Sequence, residues 1–156
     1  MAIYMQVEGI EGDVSETDHN KWIEVDSFSW GVGRPIVTQP GKVGDRANSR
    51  PNFGEISITK AYDSSSPKLF TWSTTGGGKK VTFHFTKEGG QKFLEFVLES
   101  VIPSNYSISG NTTADPGESL SFNYTKIEIK RVPYDDKNKA GTPVPVGYDL
   151  KTEKAS

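Results

Sequence analysis

The sequence contains no cysteine, which excludes a disulfide framework and any metal site built on thiolates. It has only two histidines, His19 and His84, and neither has a second ligand at a metal-binding spacing. His84 falls on the polar side of a predicted strand, so we expect it at the surface. We therefore predict that the protein has no metal site.

The sequence patterns of nucleophiles and phosphate-binding loops are also missing. No serine lies in the Gly-x-Ser-x-Gly turn that carries the nucleophile of many hydrolases. The glycine-rich stretches at residues 31–33 and 76–78 fail the dinucleotide and phosphate-loop patterns, respectively. We predict that the protein binds no cofactor and is not an enzyme.

The chain lacks an excess of either charge and lacks long apolar runs. Its 18 basic and 20 acidic residues leave a net charge of −2, which creates no field to attract nucleic acid or an anionic membrane. No apolar run approaches the roughly 20 residues of a membrane-spanning helix, and the first eight residues do not form a signal peptide. The 156 residues suit one domain. We therefore predict a single domain, 1–156, made in the cytoplasm without membrane insertion.

Alternating apolar and polar residues predict strands along most of the chain, for example at residues 3–7, 55–62 and 79–86. One stretch favours a helix: Ser65 or Ser66 can cap it, Pro67 suits its first turn and Gly76 can end it. We count about eight strands and one short helix. This content predicts a mainly β fold, an antiparallel β-barrel or sandwich.

Three stretches of the sequence indicate where strands bend, change face or end. The alternation in residues 22–30 changes face midway, which indicates a strand whose two ends meet different neighbours, or a bulge near Asp26. A second change of phase near Thr125 predicts another bulge. Residues 93–102 predict a long strand that ends at Pro103, and a separate short strand should follow at residues 106–109.

A long connection at residues 32–52 is the least regular part of the chain. It contains three prolines and four basic residues, and it greatly exceeds the usual connection of about 4–6 residues. Loops of this length are often functional, so we interpret it as a partner contact. Near the end of the chain we predict a polar loop at residues 132–145, a last short strand, and a solvated tail at residues 152–156.

Several segments together resemble the haemolysin-coregulated protein (Hcp) family, which forms the tube of the bacterial type VI secretion system. The most specific is the run at residues 24–31. The others follow in the family's order across essentially the whole chain. They are Ile58-Thr59-Lys60, Asp63 with Ser66-Pro67 and Leu69, Gly76, Phe122-Asn123-Tyr124, Lys126-Ile127-Glu128-Ile129 and Tyr148-Asp149-Leu150-Lys151. Two departures, Lys130-Arg131 in place of an aromatic residue and Tyr148 in place of tryptophan, leave the expected fold unchanged.

The resemblance implies a β-barrel with the helix packed on its side. It further implies a homohexameric ring, stacking of rings into a tube, and a lumen that holds effector proteins. The implied partners are a contractile sheath, a VgrG-type spike protein and the effectors, and the implied destination is outside the cell, through the type VI machinery.

On this resemblance, we predict that the 32–52 loop makes the contact between stacked rings; the alternative is a loop that is simply exposed. Ser27 and Ser29 should face outward into the lumen and contact cargo, with Phe28 and Trp30 in the core. Alternatively, the two serines pack at a contact between protomers. The polar residues expected to anchor the loop are Arg34, Gln39, Lys42, Asp45, Arg46 and Arg50.

Two other functions remain open at this point. A carbohydrate-binding β-sandwich could use Tyr4, Trp22 or Tyr106 as stacking platforms for sugars. A phage-tail-like tube protein would share the ring stoichiometry. A hexamer of 17 kDa subunits would separate the tube proteins from the carbohydrate-binding module.

Overall fold

The computed structural model describes residues 1–36, 40–41, 50–137 and 139–156. These residues form twelve strands, one α-helix and one 3-10 turn, Thr17–His19. The α-helix, α1, is Ser66–Thr75. The strands are β1 (Ala2–Val7), β2 (Ile23–Val25), β3 (Ser27–Ser29), β4 (Val32–Gly33), β5 (Asn52–Phe53), β6 (Ile56–Ala61), β7 (Lys79–Thr86), β8 (Lys92–Ser109), β9 (Gly117–Asn123), β10 (Lys126–Arg131), β11 (Val144–Asp149) and β12 (Lys154–Ala155).

Two antiparallel sheets build the fold, and strand β8 belongs to both. The first sheet has the order β12-β11-β10-β8-β7-β1-β2, and the second has the order β3-β6-β9-β8. Strands β4 and β5 form a separate two-stranded ribbon. The mainly β, antiparallel fold is confirmed. Of the two expected forms, the sandwich is right and the closed barrel is wrong.

Strand β8 runs for 18 residues and changes sheet near its middle. Its first half pairs with β7 and β10, and from Ile102 onward it pairs with β9. Ser100, at the change, has a positive φ of 51°. The separate strands expected on either side of Pro103 are therefore one strand. Proline is tolerated here because this half of β8 pairs on one side only, with β9.

Two further changes of sheet explain the irregular sequence patterns. Strand β2 pairs with β1 in the first sheet, whereas β3 pairs with β6 in the second, with only Asp26 between them. The two ends of this segment therefore do meet different neighbours. Near Thr125, β9 ends and β10 begins, so the chain passes from the second sheet to the first. The bulge predicted there is wrong, because the phase change accompanies a change of sheet.

The core lies between the two sheets and contains apolar side chains from alternate strand positions. Met5 and Phe83 from the first sheet are fully buried, as are Ile58 and Phe122 from the second. Phe28 of β3 is half-buried and packs against this core, with its ring 4.9–5.2 Å from the rings of Phe83, Phe85 and Phe96. Each fully buried apolar side chain contributes about 1.5–3 kcal/mol to folding.

Helix α1 begins and ends as its sequence predicts. Ser65 precedes it, Pro67 lies in its first turn, and Gly76 adopts the left-handed conformation with φ 71°. The N–H of Gly76 donates to the carbonyl of Trp72 at 2.9 Å. Leu69 and Trp72 form the buried side of the helix, which packs against β8. The prediction of one short helix packed on the β-structure is confirmed.

A buried ion pair attaches the start of this helix to the second sheet. Lys60 of β6 and Glu118 of β9 lie opposite each other, and their side chains are fully buried, with Nζ 2.6 Å from Oε1. Lys60 Nζ also donates to the Ala61 carbonyl and to Asp63, at 2.8 and 3.1 Å. The hydroxyl of Ser66 donates to the same Glu118 oxygen at 2.5 Å.

The carboxylate of Glu118 is held ionised by this network. Burial by itself would raise its pKa, but hydrogen bonds from Lys60, Ser66 and Tyr106 lower it below the ordinary value. Asp63 closes the network from the other side, because its carboxylate accepts from the N–H of Ser65 at 2.9 Å. The signature segments 58–60 and 63–69 thus meet at one buried charge pair.

We predict that Lys60→Met destabilises the protein by about 3–5 kcal/mol, because it leaves the Glu118 carboxylate buried without a cation. The double variant Lys60→Met/Glu118→Leu should recover most of the loss, since it removes both charges. Thermal unfolding at matched protein concentration measures the effect, with Lys68→Met on the exposed side of the helix as the control. A single variant as stable as wild type would contradict this account.

Candidate functional site

The long connection leaves the sandwich as a two-stranded ribbon. Val32 pairs with Phe53 and Gly33 pairs with Asn52, and the N–H of Gly54 donates to the carbonyl of Gly31 at 2.9 Å. A Cβ on Gly54 would lie 2.9 Å from that same carbonyl oxygen, so only glycine fits at this position. The expected irregular loop of residues 32–52 therefore has paired ends, which fix the direction in which the chain leaves.

Four aromatic side chains fix the base of this ribbon. Trp30 Nε1 donates to the hydroxyl of Tyr124 at 2.6 Å, and that hydroxyl donates to the carbonyl of Gly54 at 2.9 Å. Burial raises the pKa of the Tyr124 hydroxyl, so it remains a donor at neutral pH. The ring of Phe53 packs on that of Tyr148 with centroids 4.6 Å apart. The ribbon is thus held to the core at its root.

The expected anchors of the loop are placed only in part. Arg34 and Arg50 are exposed. Arg50 forms an ion pair of 2.9 Å with Glu153, in the segment expected to be a solvated tail. Surface pairs of this kind contribute little, about 0–1 kcal/mol. The other four anchors lie outside the described residues: Gln39, Lys42, Asp45 and Arg46.

Ser27 and Ser29 lie on the outer face of the second sheet, as the alternation predicts. Both side chains are exposed, while Phe28 and Trp30 are half-buried and pack against the core. The hydroxyl of Ser27 is 2.5 Å from that of Thr59 on the neighbouring strand. The structure therefore supports their outward direction, and their contact with cargo stays a prediction.

The two serines belong to a larger surface of small polar side chains, which we call the hydroxyl face. It extends over four strands in two rows of directly opposed residues. Sequence analysis identified only its β3 members, although alternate serines and threonines in β6 and β9 gave the same signal. The rows are Ser27-Thr59-Ser119-Ser107 and Ser29-Ser57-Ser121-Asn105.

A second candidate surface lies on the inner face of the first sheet, in the part that the second sheet does not cover. One apolar row crosses the first sheet through Met5, Phe83, Phe96, Ile129 and Val146. The exposed fraction rises along it from 0% at Met5 and Phe83 through 6% at Phe96 to 55% at Val146. Sequence analysis missed this surface, because it placed the start of β11 in a polar loop. We call Ile129, Val144 and Val146 the apolar overhang.

The two histidines lie against each other. His19 is 2% exposed, and its Nε2 is 2.9 Å from Nδ1 of His84. The expected surface position of His84 is wrong, because the β1–β2 connection folds over its strand. Within the described ranges, no group of three or more metal-ligating side chains is arranged to hold a metal ion. In the same ranges, no helix has the length and apolarity to cross a membrane.

Comparison with known proteins identifies the family. A family profile described as "Type VI secretion system effector, Hcp" matches residues 4–130. The chain is 24% identical to protein hcp1 of Pseudomonas aeruginosa over 155 residues, which cover 96% of this chain and 94% of that protein.

Solved structures agree with this match. A structure described as that of a type six secretion system protein aligns with a TM-score of 0.93 and 27% identity, over 99% of both chains. Hcp1 of Salmonella typhimurium has the same fold, with a TM-score of 0.82 and 20% identity over 99% of this chain and 98% of that one. The chain therefore belongs to the Hcp family of type VI secretion system proteins.

Proposed function

We propose that this protein is the structural tube component of a type VI secretion system. Six copies close into a ring, rings stack into a tube, and the tube is exported with effector proteins held in its lumen. Its partners are its own copies, a contractile sheath, a spike protein and the effectors, and its role is mechanical rather than enzymatic. It is assembled in the cytoplasm before export. Family membership supports this proposal, and the apolar overhang carries its central step.

The apolar overhang supports contact between copies. Val144 and Val146 are each 55% exposed, yet Val146 continues a row whose inner members are buried, and Val144 lies beside it on the same face of β11. An uncovered extension of a core commonly marks a protein–protein contact. A second copy is the natural cover, because repeated contact between unlike surfaces of one protein closes a ring when the rotation fits.

We predict that Val146→Glu weakens ring formation by more than about 100-fold, since burying an unpaired carboxylate in the contact costs several kcal/mol. Light scattering after size exclusion should show a species near one subunit mass in place of six. Val32→Glu is the control, because Val32 is also exposed but lies on the ribbon and should leave rings intact. A hexamer formed by Val146→Glu at wild-type affinity would refute the role of the overhang.

We assign the contact between stacked rings to the connection at residues 32–52. Its base is held by Trp30, Tyr124 and Phe53, so the ribbon can transmit a load to the core. The chain between the two arms of the ribbon does not need to pack on its own sandwich if it reaches a neighbouring ring. Its polar anchors in this proposal are Arg34, Gln39, Lys42, Asp45, Arg46 and Arg50.

Replacing residues 35–50 with a brief Gly/Ser turn should therefore leave rings but abolish tubes and secretion. Negative-stain electron microscopy measures tube formation, and the amount of protein outside the cell measures export. Replacing the loop at residues 111–115 with a brief Gly/Ser turn is the control and should preserve both. Normal secretion by the variant shortened at residues 35–50 would count against the proposal.

We assign the cargo contact to the hydroxyl face. Its side chains are small and uncharged, so they offer hydrogen bonds over a broad, even surface without demanding one partner shape. Ser27 and Ser29 lie at one edge of this face, and the rows from Thr59 and Ser57 extend it. A surface of this kind suits a lumen that accepts different effectors.

We expect Ser29→Gln to form rings that no longer protect effectors, because the longer side chain occupies the space that cargo would fill. Effector abundance in cells that express the variant measures protection. Thr71→Gln, an equivalent change on the exposed side of the helix, should protect effectors normally. If Ser29→Gln rings stabilise effectors as well as wild-type rings do, the cargo contact lies elsewhere.

The carbohydrate-binding alternative is weakened by the positions of its three aromatic residues. Tyr4 stacks on His19 with centroids 4.5 Å apart, and Trp22 packs on His84 at 4.4 Å. The hydroxyl of Tyr106 donates to Glu118. All three are therefore half-buried in contacts within the protein rather than free for sugar. A phage-tail-like tube protein shares the ring geometry and is separated from the proposal by its gene neighbours.

A further inference from the structure

Four side chains form a continuous hydrogen-bonded chain on the outer face of the first sheet, which we call the histidine clasp. Glu16 Oε2 is 2.5 Å from Nδ1 of His19, and Nε2 of His19 is 2.9 Å from Nδ1 of His84. Nε2 of His84 is in turn 2.9 Å from Oε2 of Glu95. All four ring nitrogens are thus engaged, in three contacts.

The clasp holds the β1–β2 connection on the sheet. His84 and Glu95 face each other on β7 and β8, whereas Glu16 and His19 belong to the connection. Tyr4 stacks on His19, and Trp22 packs against both imidazoles, at 4.8 and 4.4 Å. The hydrogen bond between the two histidines crosses from the connection to the sheet and joins the two halves of the clasp.

Counting protons fixes the charge of the pair. Ionised carboxylates supply no proton, so each of the three hydrogen bonds needs one from a ring nitrogen. The two imidazoles must therefore hold three protons, which makes one of them neutral and the other positively charged. With two protons, one of the three contacts would have no hydrogen; with four, two N–H groups would face each other.

The surroundings decide which ring is charged. Burial lowers the pKa of His84, although the hydrogen bond to Glu95 opposes the shift, so His84 is the ring that stays neutral. The hydrogen bond from His19 lowers the pKa of Glu16. The pKa of Glu95 falls to about 2, chiefly through the hydrogen bond from His84 and with help from Lys92. Both carboxylates therefore stay ionised near neutral pH.

Other charged groups surround the clasp on every packed element. Lys92 Nζ lies 2.6 Å from Glu95, and Lys130 lies 3.7 Å from the other oxygen of that carboxylate. These two cations oppose a second positive charge on the pair. Tyr4 of β1 stacks on His19 and is influenced by Glu24 of β2, the backbone N–H of Asp18 donates to Glu16, and Glu128 of β10 pairs with Lys130.

We propose that His19 and His84 bind a single shared proton, and that this proton closes the β1–β2 connection onto the sheet. Gain of a second proton or loss of the first breaks the bond between the rings and loosens residues 11–22. The loss of stability at acid pH follows from linkage. As the pH drops, His84 binds its proton at a higher pH in the unfolded chain than in the folded chain, so the free energy of unfolding decreases. The device is local to one subunit and does not depend on ring assembly.

The test begins with nitrogen-15 NMR of the wild-type protein labelled at histidine and carrying no histidine tag, so that its spectrum contains two imidazoles. Near neutral pH we expect three ring protons in total, with His84 protonated on Nε2 alone. A total of two or four ring protons at that pH would overturn the proposal.

Hydrogen exchange then tests the closure. The amides of Val14, Lys21 and Trp22 donate to backbone carbonyls within the connection. Their protection, corrected for intrinsic exchange, should peak near neutral pH and fall about tenfold on either side, the effect of one hydrogen bond. His84→Phe should flatten this profile, and Thr82→Val, on the same face of β7, should keep it. A flat wild-type profile, or one unchanged in His84→Phe, would refute the closure.

Discussion

The first sheet contains seven strands, whereas three strands and the end of a fourth pack against it from the other side. Alternation along the strands nevertheless makes the inner face of the first sheet apolar nearly to its far edge. Helix α1 covers part of the apolar surface that the second sheet leaves open. The base of the ribbon covers another part, where Phe53 packs on Tyr148. The remainder is the apolar overhang, with Val144 and Val146 more than half exposed. The need to cover it connects the fold of one subunit to the assembly of several.

The second sheet has the opposite character, because its outer face is polar and open to solvent. Its large side chains point inward, where Ile58, Leu120 and Phe122 are fully buried, and small hydroxyls alternate with them on the outside. The buried pair of Lys60 and Glu118 attaches helix α1 to the two middle strands of this sheet, near the end of β6 and the start of β9. The second sheet therefore has an uncharged outer face, and its inner face is packed into the core.

Local patterns predicted much of this arrangement and failed where distant segments meet. The helix limits at Pro67 and Gly76 and the outward direction of Ser27 and Ser29 follow from local chemistry and period two. The prediction that the strand ends at Pro103 was wrong, because a proline stops a strand only where its missing N–H is needed for pairing. The contact between His19 and His84 joins residues 65 positions apart, and the apolar overhang depends on which strands pair. Neither is encoded in a local pattern.

The central claim is that one subunit exposes an extension of its core for a second copy to cover, and a hydroxyl face for a channel. An electron cryomicroscopy structure of the purified wild-type assembly tests it most directly. The account predicts a six-membered ring in which a neighbour buries Val144 and Val146 and the hydroxyl face lines the central channel. A ring whose apolar overhang stays in solvent, or whose hydroxyl face points outward, would contradict it.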